Sequence, residues 1–506
     1  MRAALFNFLL AGLGAAALPT SEFQPVQNAN HIFNAIHDSM RQFGSSLHHN
    51  GMSFFLANVP EGIHLYHGNA SPEYLKEIGW MAFEPEHGMV FARPEKPGQH
   101  RDINDQGAIQ DGNSLQKPLS SNPTQAADDK SDGNISGYLH TYKTANPLRL
   151  LYIDGTSAGK SRIGTLDSQN RILFNDTING GVSVEDKRAR SVCRLAENEW
   201  KGRLDGVIRM AAGFEIILCK PEVNLVPVRV MPVEKHPTDG NGNRNDNGRP
   251  RGKPAALLRA ITSRFNGIGG DRVVLNYNNF VTAYTYDLDL FPNNENGTET
   301  RPRLDHIPTP NLEPIRQDLT TLIMDHDVND NKPNWQSVAD LIVGKYAPIL
   351  RDLAPRTHHD KHKSKGYHKP QNKENPAVKI AEILSPFSSP SKNETLSLCA
   401  SQFLSTPNLN STLSQRALYS ISQTICSTLL SLQSETDQDV IHSSILELMK
   451  SLDWTSWKEC RGCKSDEFCA VPIWPNGSEE DFEKPRCERL VDAWEGRSGY
   501  WGGVWH

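Results

Sequence analysis

The chain has 506 residues, 37% hydrophobic and 22% charged, with a formal net charge of −6. Spread over that length, the charge excludes a nucleic-acid partner held through bulk electrostatics, which needs a basic surface. The eight cysteines are an even count, which suits disulfides formed in an oxidising compartment.

At the N-terminus Arg2 precedes an apolar run from Ala3 to Leu18; Ala15 and Ala17 give a small-x-small pattern, and Pro19 breaks any helix. This predicts a signal peptide at 1–17 rather than a membrane span. No later stretch reaches the ~18 apolar residues that a transmembrane span needs. The segment from Gly499 to His506 has no hydrophobic tail for a lipid anchor. The expected location is secreted, extracellular or cell wall. Seven Asn-x-Ser/Thr sequons, at Asn69, Asn134, Asn175, Asn296, Asn393, Asn410 and Asn476, agree with that route.

Polar stretches divide the remainder. A first block at 25–233 contains a disordered insertion at 94–136, rich in Gly, Pro, Asn, Asp and Gln. A linker at 234–253 leads to a mixed extension at 254–355, itself broken at 292–312, and a His/Lys-rich linker at 356–376 follows. A helical region at 377–453 and a Cys/Trp-rich tail at 454–506 complete the chain.

In the first block Ile32, Phe33, Ile36, Met40 and Phe43 have helical spacing, which predicts a helix over 31–43. Strands are expected at 63–67, 138–144 and 148–153, the last ended by Asp154-Gly155. A helix over 183–200 has an apolar stripe of Ala189, Val192, Cys193, Ala196 and Trp200. Further strands are expected at 207–208, 214–219 and 225–230. Strands and helices without a strict βαβ repeat indicate α+β. Beyond this block, helices are expected at 255–265, 314–327 and 335–353, with an extended run at 273–290. Leu413, Leu418, Ile421, Ile425 and Leu429 line one helical face, and Cys399 and Cys426 are placed to tie two helices together.

The chemistry-bearing series runs through Leu65-Tyr66-His67-Gly68, Trp80-Met81-Ala82-Phe83-Glu84-Pro85-Glu86-His87 and Pro147-Leu148-Arg149-Leu150-Leu151. It ends with Asp205-Gly206-Val207, Phe214-Glu215-Ile216-Ile217-Leu218 and Val226-Pro227-Val228. In this order the series resembles the ADP-ribosyltransferase-like superfamily over about 60–230. The stretches at 83–87 and 154–160 also resemble a family of fungal secreted proteins. The resemblance implies an NAD pocket between two strands, with Tyr66, His67, Gly68 and Phe83 binding the dinucleotide and Glu215 catalytic. Cleaving the nicotinamide–ribose bond builds oxocarbenium-like charge on the sugar, and a fixed carboxylate stabilises that charge more than the ground state. NAD is then a possible substrate, for ADP-ribosyl transfer or NAD hydrolysis, with no metal required.

The same residues also fit a structural reading, with Glu215 paired to Arg209 or Arg229 and His67 a core histidine. The function that goes with it is a non-catalytic secreted glycoprotein that binds a cell-wall glycan or an extracellular protein. The tryptophans of the tail could serve such a surface, although the preferred expectation packs them onto the helical region. Cys460-x-x-Cys463, with Cys469 and Cys487, has zinc-like opening spacing, but behind a signal peptide two disulfides are the better reading. Gly155 to Ser161 falls one residue short of the phosphate-loop spacing. Glu84 and Glu86 flank Pro85, which marks a helix start.

Overall fold

The computed structural model describes residues 26–93, 135–234, 253–292, 301–325, 333–355, 375–408, 410–493 and 497–503. The expected signal peptide, the linker residues 235–252, and most of the 94–136 insertion and the His/Lys-rich linker lie outside the described residues.

Nine strands build one sheet: β1 (Asn50–Val59), β2 (His64–Asn69), β3 (Gly79–Ala82), β4 (Ile135–Thr144), β5 (Leu148–Gly155), β6 (Gly206–Met210), β7 (Phe214–Leu218), β8 (Leu225–Glu234) and β9 (Val274–Thr282). Their spatial order is β8-β4-β2-β3-β7-β6-β5-β1-β9. Every neighbouring pair is antiparallel except β5 with β6. A parallel pair cannot be joined by a tight turn, so the chain between these two strands must cross one face of the sheet. That crossover carries a helix of wide turns at Ser168–Leu173 and a second helix at Glu185–Arg194. Of the expected stripe, Ala189, Val192, Ala196 and Trp200 are buried and Cys193 is half-buried. The Cys193–Cys219 disulfide ties this helix to the chain just after β7.

The protein is thus a mixed α/β molecule with a large sheet and many helices. The polar stretches do not divide its core. β9, from the 254–355 segment, is an edge of the same sheet. One apolar cluster continues from the strands into the helices Thr309–Asp325, Trp335–Leu353 and Leu413–Leu432. Cys399–Cys426 joins the helix Lys392–Ala400 to the last of these. Among the described residues no helix is long and apolar enough to cross a membrane.

Three local expectations change. The helix expected over 31–43 is two helices, Ala29–Asp38 and Gln42–Leu47, with Met40 left-handed at φ 56° between them. The Met40 N–H donates to the Tyr152 hydroxyl at 3.1 Å, so a strand residue satisfies the break. The 292–312 break is partly core, because Leu304 and Ile307 are buried and Arg303 Nε donates to Asp167 at 3.0 Å. The tail packs mainly on the first block rather than on the helical region. β10 (Glu467–Ala470) and β11 (Arg486–Arg489) pair there, held by Cys460–Cys469 and Cys463–Cys487. Phe468 and Ile473 join Phe43, Leu47 and Ile261, while Trp474 and Trp501 cluster with Ala158 and Ala211. Trp454 instead stacks on Phe33, ring centroids 5.7 Å apart.

Candidate functional site

Register decides which of the predicted residues meet. Tyr66 pairs with Ala82, and Ala82 pairs with Glu215, which pairs in turn with Arg209. Directly paired residues share a face and successive residues alternate. Tyr66, Ala82, Glu215 and Arg209 therefore lie on one face. His67, one residue along β2, lies on the other, opposite His140 of β4. The structure does not bring His67 and Glu215 into one cleft, and the sheet itself separates them.

Each is also closed in. His67 is 4% exposed, and its Nδ1 lies 2.9 Å from the Trp80 carbonyl oxygen. Burial pushes its pKa down to about 4, so the ring is neutral, with Nδ1–H donating to Trp80. Its Nε2 is buried without a hydrogen-bond partner. The His140 ring stands 6.1 Å away and Tyr74 covers His140 at 6.3 Å.

Glu215 is 2% exposed and accepts from Arg209 Nε at 2.9 Å. The Arg209 guanidinium extends to Glu185 of the crossover helix and donates through NH1 to Gln169 at 3.2 Å. Arg188 completes the group, donating to Glu185, to Asn170 and to the carbonyls of Gly180 and Gly181. Lys160 Nζ stands 3.5 Å from Glu185 Oε2 with no side-chain exposure. Burial, reinforced by the neighbouring Arg209 charge, holds the Lys160 amine well below its ordinary pKa. The β5-to-β6 crossover lays Lys160, Gln169, Glu185 and Arg188 over this face, so the topology itself builds the cluster. Its charges compensate one another in a dry interior, the arrangement that buried ions require.

The other predicted residues are occupied structurally. A Cβ at Gly68 would lie 2.1 Å from the Gly88 carbonyl oxygen and 2.6 Å from the Ala92 nitrogen. The close approach that glycine permits is thus made by the protein's own chain. Half-buried Tyr66 meets Gly88 of the same short helix, Pro85–Met89, through its Cβ. That helix starts where Pro85 predicts. Phe83 is buried, its ring beneath the Arg272 guanidinium at 5.7 Å and its carbonyl accepting from Arg272 NH1 at 3.0 Å. Glu84 is clamped by Arg264 Nε at 2.6 Å and Arg272 NH2 at 2.9 Å.

A crevice near this end of the sheet is lined by Gln42, Phe83, Glu84, His87, Phe214 and Arg264 among others. Its empty volume is ≈ 240 Å³ with open solvent included. Burial lowers the His87 pKa against the opposing pull of Glu215 and Glu84.

Sequence reasoning missed a second polar cluster. Asp38, 5% exposed, lies 2.7 Å from both His37 Nδ1 and His48 Nδ1 and accepts from the Thr455 hydroxyl at 3.0 Å. His48 Nε2 reaches Asp453 Oδ2 at 3.2 Å. Burial alone would lower the His48 pKa, but its bonds to Asp38 and Asp453 raise it to about 10. These partners are 405 positions apart or more in two of the contacts, so no local motif announces them.

Comparison with known proteins covers eight of the nine strands of this sheet. Residues 24–236 match the model of the YPL277C N-terminal domain family. Two Saccharomyces cerevisiae proteins, the uncharacterized proteins YOR389W and YPL277C, are each 26% identical over 382 residues, covering 65% of this chain. The match spans 58% of the length of YOR389W and 75% of YPL277C. No solved structure matches. The matched region closes with β8, so it takes in every strand of the sheet except β9.

Proposed function

We propose that this chain is a secreted, disulfide-stapled glycoprotein that acts by binding an extracellular protein, and that the group around Glu215 is structural. One observation carries the reading: the imidazole of His67 and the carboxylate of Glu215 stand on opposite faces of the sheet, each buried by its own chain. An NAD glycohydrolase or ADP-ribosyltransferase built on these two residues would need both at one dinucleotide-sized groove. Four disulfides support an oxidising compartment.

A protein partner is favoured over a glycan. Glycan recognition through the tail would use exposed aromatic rings, yet among the described tail tryptophans Trp454, Trp474 and Trp501 are buried and Trp457 is half-buried, while Trp494 and Trp505 lie outside the described residues. Exposed apolar side chains lie instead beside and along β8, one of the two edge strands, at Val223, Val226 and Val228. Pro227 and Pro232 interrupt the donors of this strand, which limits indiscriminate edge pairing and leaves side-chain contact as the means of recognition.

Incubating the purified full chain with NAD and measuring free nicotinamide tests the reading. It expects release no faster than in buffer, for the parent and for Glu215→Gln alike. Turnover by the parent that Glu215→Gln removes, with circular dichroism unchanged, would reinstate the NAD enzyme.

A further inference from the structure

We propose that N-linked oligosaccharide is carried at Asn175, Asn393 and Asn410 but not at Asn69 or Asn476. This assignment rests on the secreted-glycoprotein reading and adds which of the described sequons are modified. In the transfer the Asn amide nitrogen bonds to the anomeric carbon of a polyprenyl-diphosphate-linked oligosaccharide. The carbon–oxygen bond to the diphosphate breaks, the lipid diphosphate leaves with the electron pair, and the amide loses one proton to base.

The amide is modified as the chain enters the secretory route, and only chains whose saccharides are compatible with the final packing fold and are secreted, so the secreted protein carries glycan at compatible sites. Burying the polar sugar would leave hydroxyls without partners, and excluding it would hold the segment open. Asn175, Asn393 and Asn410 are all exposed. Asn175 is left-handed, φ 48°, in the turn after the wide-turned crossover helix. Asn393 stands in the first turn of the helix Lys392–Ala400 between exposed Lys392 and Glu394. Asn410 lies just before the Thr412 cap of the helix Leu413–Leu432. The latter two sites therefore sit on the helix pair tied by Cys399–Cys426.

Asn69 and Asn476 differ in kind, because both are half-buried. Asn69 ends β2 opposite Tyr138, which pairs in turn with Pro232 of the edge strand. Its Oδ1 accepts from the Ala70 N–H at 2.8 Å, and the Ser71 carbonyl of the same sequon receives His140 Nε2 at 2.9 Å. A saccharide here would begin on the face shared by Asn69, Tyr138 and Pro232, at the end of the strand pair that carries β8. Asn476 forms the turn against which the tail closes. Its N–H donates to Ile473 at 2.8 Å and its carbonyl accepts from Trp501 Nε1 at 2.9 Å. With Trp474 and Trp501 each 1% exposed around it, a glycan would keep that cluster from seating.

The test is secretion of the full chain from a eukaryotic host, once with its own leader and once with a heterologous one, followed by peptide mass mapping of glycosidase-treated material. Enzymatic release converts each modified Asn to Asp, a mass gain of about 1 Da that marks the site. The expected result is conversion at Asn175, Asn393 and Asn410 and none at Asn69 or Asn476. Asn175→Gln, Asn393→Gln and Asn410→Gln should each remove one mobility step, and Asn69→Gln and Asn476→Gln none. Conversion at Asn69 or Asn476, or its absence at any of the other three, overturns the assignment, and the heterologous leader yields that result however the native leader behaves. Retention of the native-leader form inside the cell, unmodified, overturns the secretion reading as well.

Discussion

Arg209 Nε donates to Glu215 Oε1 at 2.9 Å across adjacent strands, and neither side chain exposes more than 2% of its surface. Glu215 is therefore the counter-charge of a buried guanidinium. Removing Glu215 leaves this buried guanidinium with Glu185 as its remaining carboxylate, so the cost approaches the about 3–5 kcal/mol of a broken buried pair. Urea unfolding of Glu215→Gln should show a loss of that order. Arg209→Met combined with Glu215→Leu should cost less than the sum of the single changes, because the double variant leaves neither of these two charges behind. Additive losses would place the two side chains in separate environments.

Gly68 gives an independent check on the same region. Its hydrogen faces Gly88 and Ala92, and a methyl group would sit 2.1 Å from a backbone carbonyl oxygen. Backbone cannot rotate away as a long side chain can, so Gly68→Ala should cost about 1–3 kcal/mol by overpacking. A thermal midpoint within a degree of the parent would show that the helix Pro85–Met89 does not rest on β2.

The Asp38–His48–Asp453 cluster should shape stability against pH. The His48 pKa is raised from 6.5 to about 10 in the folded chain. Folding therefore favours the protonated ring; the contribution is complete below pH 6.5 and disappears as pH climbs to about 10. Asp38 has the opposite sign. Burial opposes its charge, yet the charge of His37 and bonds to His37 and His48 depress its pKa from 3.8, so its contribution holds above that value and fades in stronger acid. Because the groups are coupled, the two limbs belong to the cluster rather than to separate residues. Unfolding free energy followed from pH 6 to 10 should decline for the parent, and His48→Gln should flatten that limb. An unchanged slope in the variant would assign the decline to other groups.

How much of this was legible depends on range along the chain. β2, β4, β5, β7 and β8 each announce themselves by short apolar or alternating runs between turn residues. β1 does not, because the run at 52–57 is buried on both faces and fits strand or helix equally. The separation of His67 from Glu215 is a matter of parity. Whether two strand residues share a face depends on which partners they meet, and the register Tyr66 to Ala82 to Glu215 is fixed by packing between segments far apart in sequence. The Arg209–Glu215 pair was readable, since those residues flank one tight hairpin. Glu185, Lys160 and Arg188 were not, because only the crossover forced by a parallel strand pair brings them over that hairpin.

The disulfides of the tail yield the last expected outcome. Cys460–Cys469 and Cys463–Cys487 close loops over sequence separations of 9 and 24. A module of this size has little core of its own and depends on such bonds to hold its shape. Its seat is the first block, where Trp474 and Trp501 lie against Ala158 and Ala211. Replacing Cys463 and Cys487 together with Ser should cost about 2–4 kcal/mol of that module's stability in the chain-entropy view. The tail should release before the sheet unfolds, so tryptophan emission shifts to the red while the far-ultraviolet dichroism of the sheet holds. Emission and dichroism changing together, at the parent's denaturant midpoint, would instead mean that the tail is held by its packing alone and that this bond adds nothing to its seat.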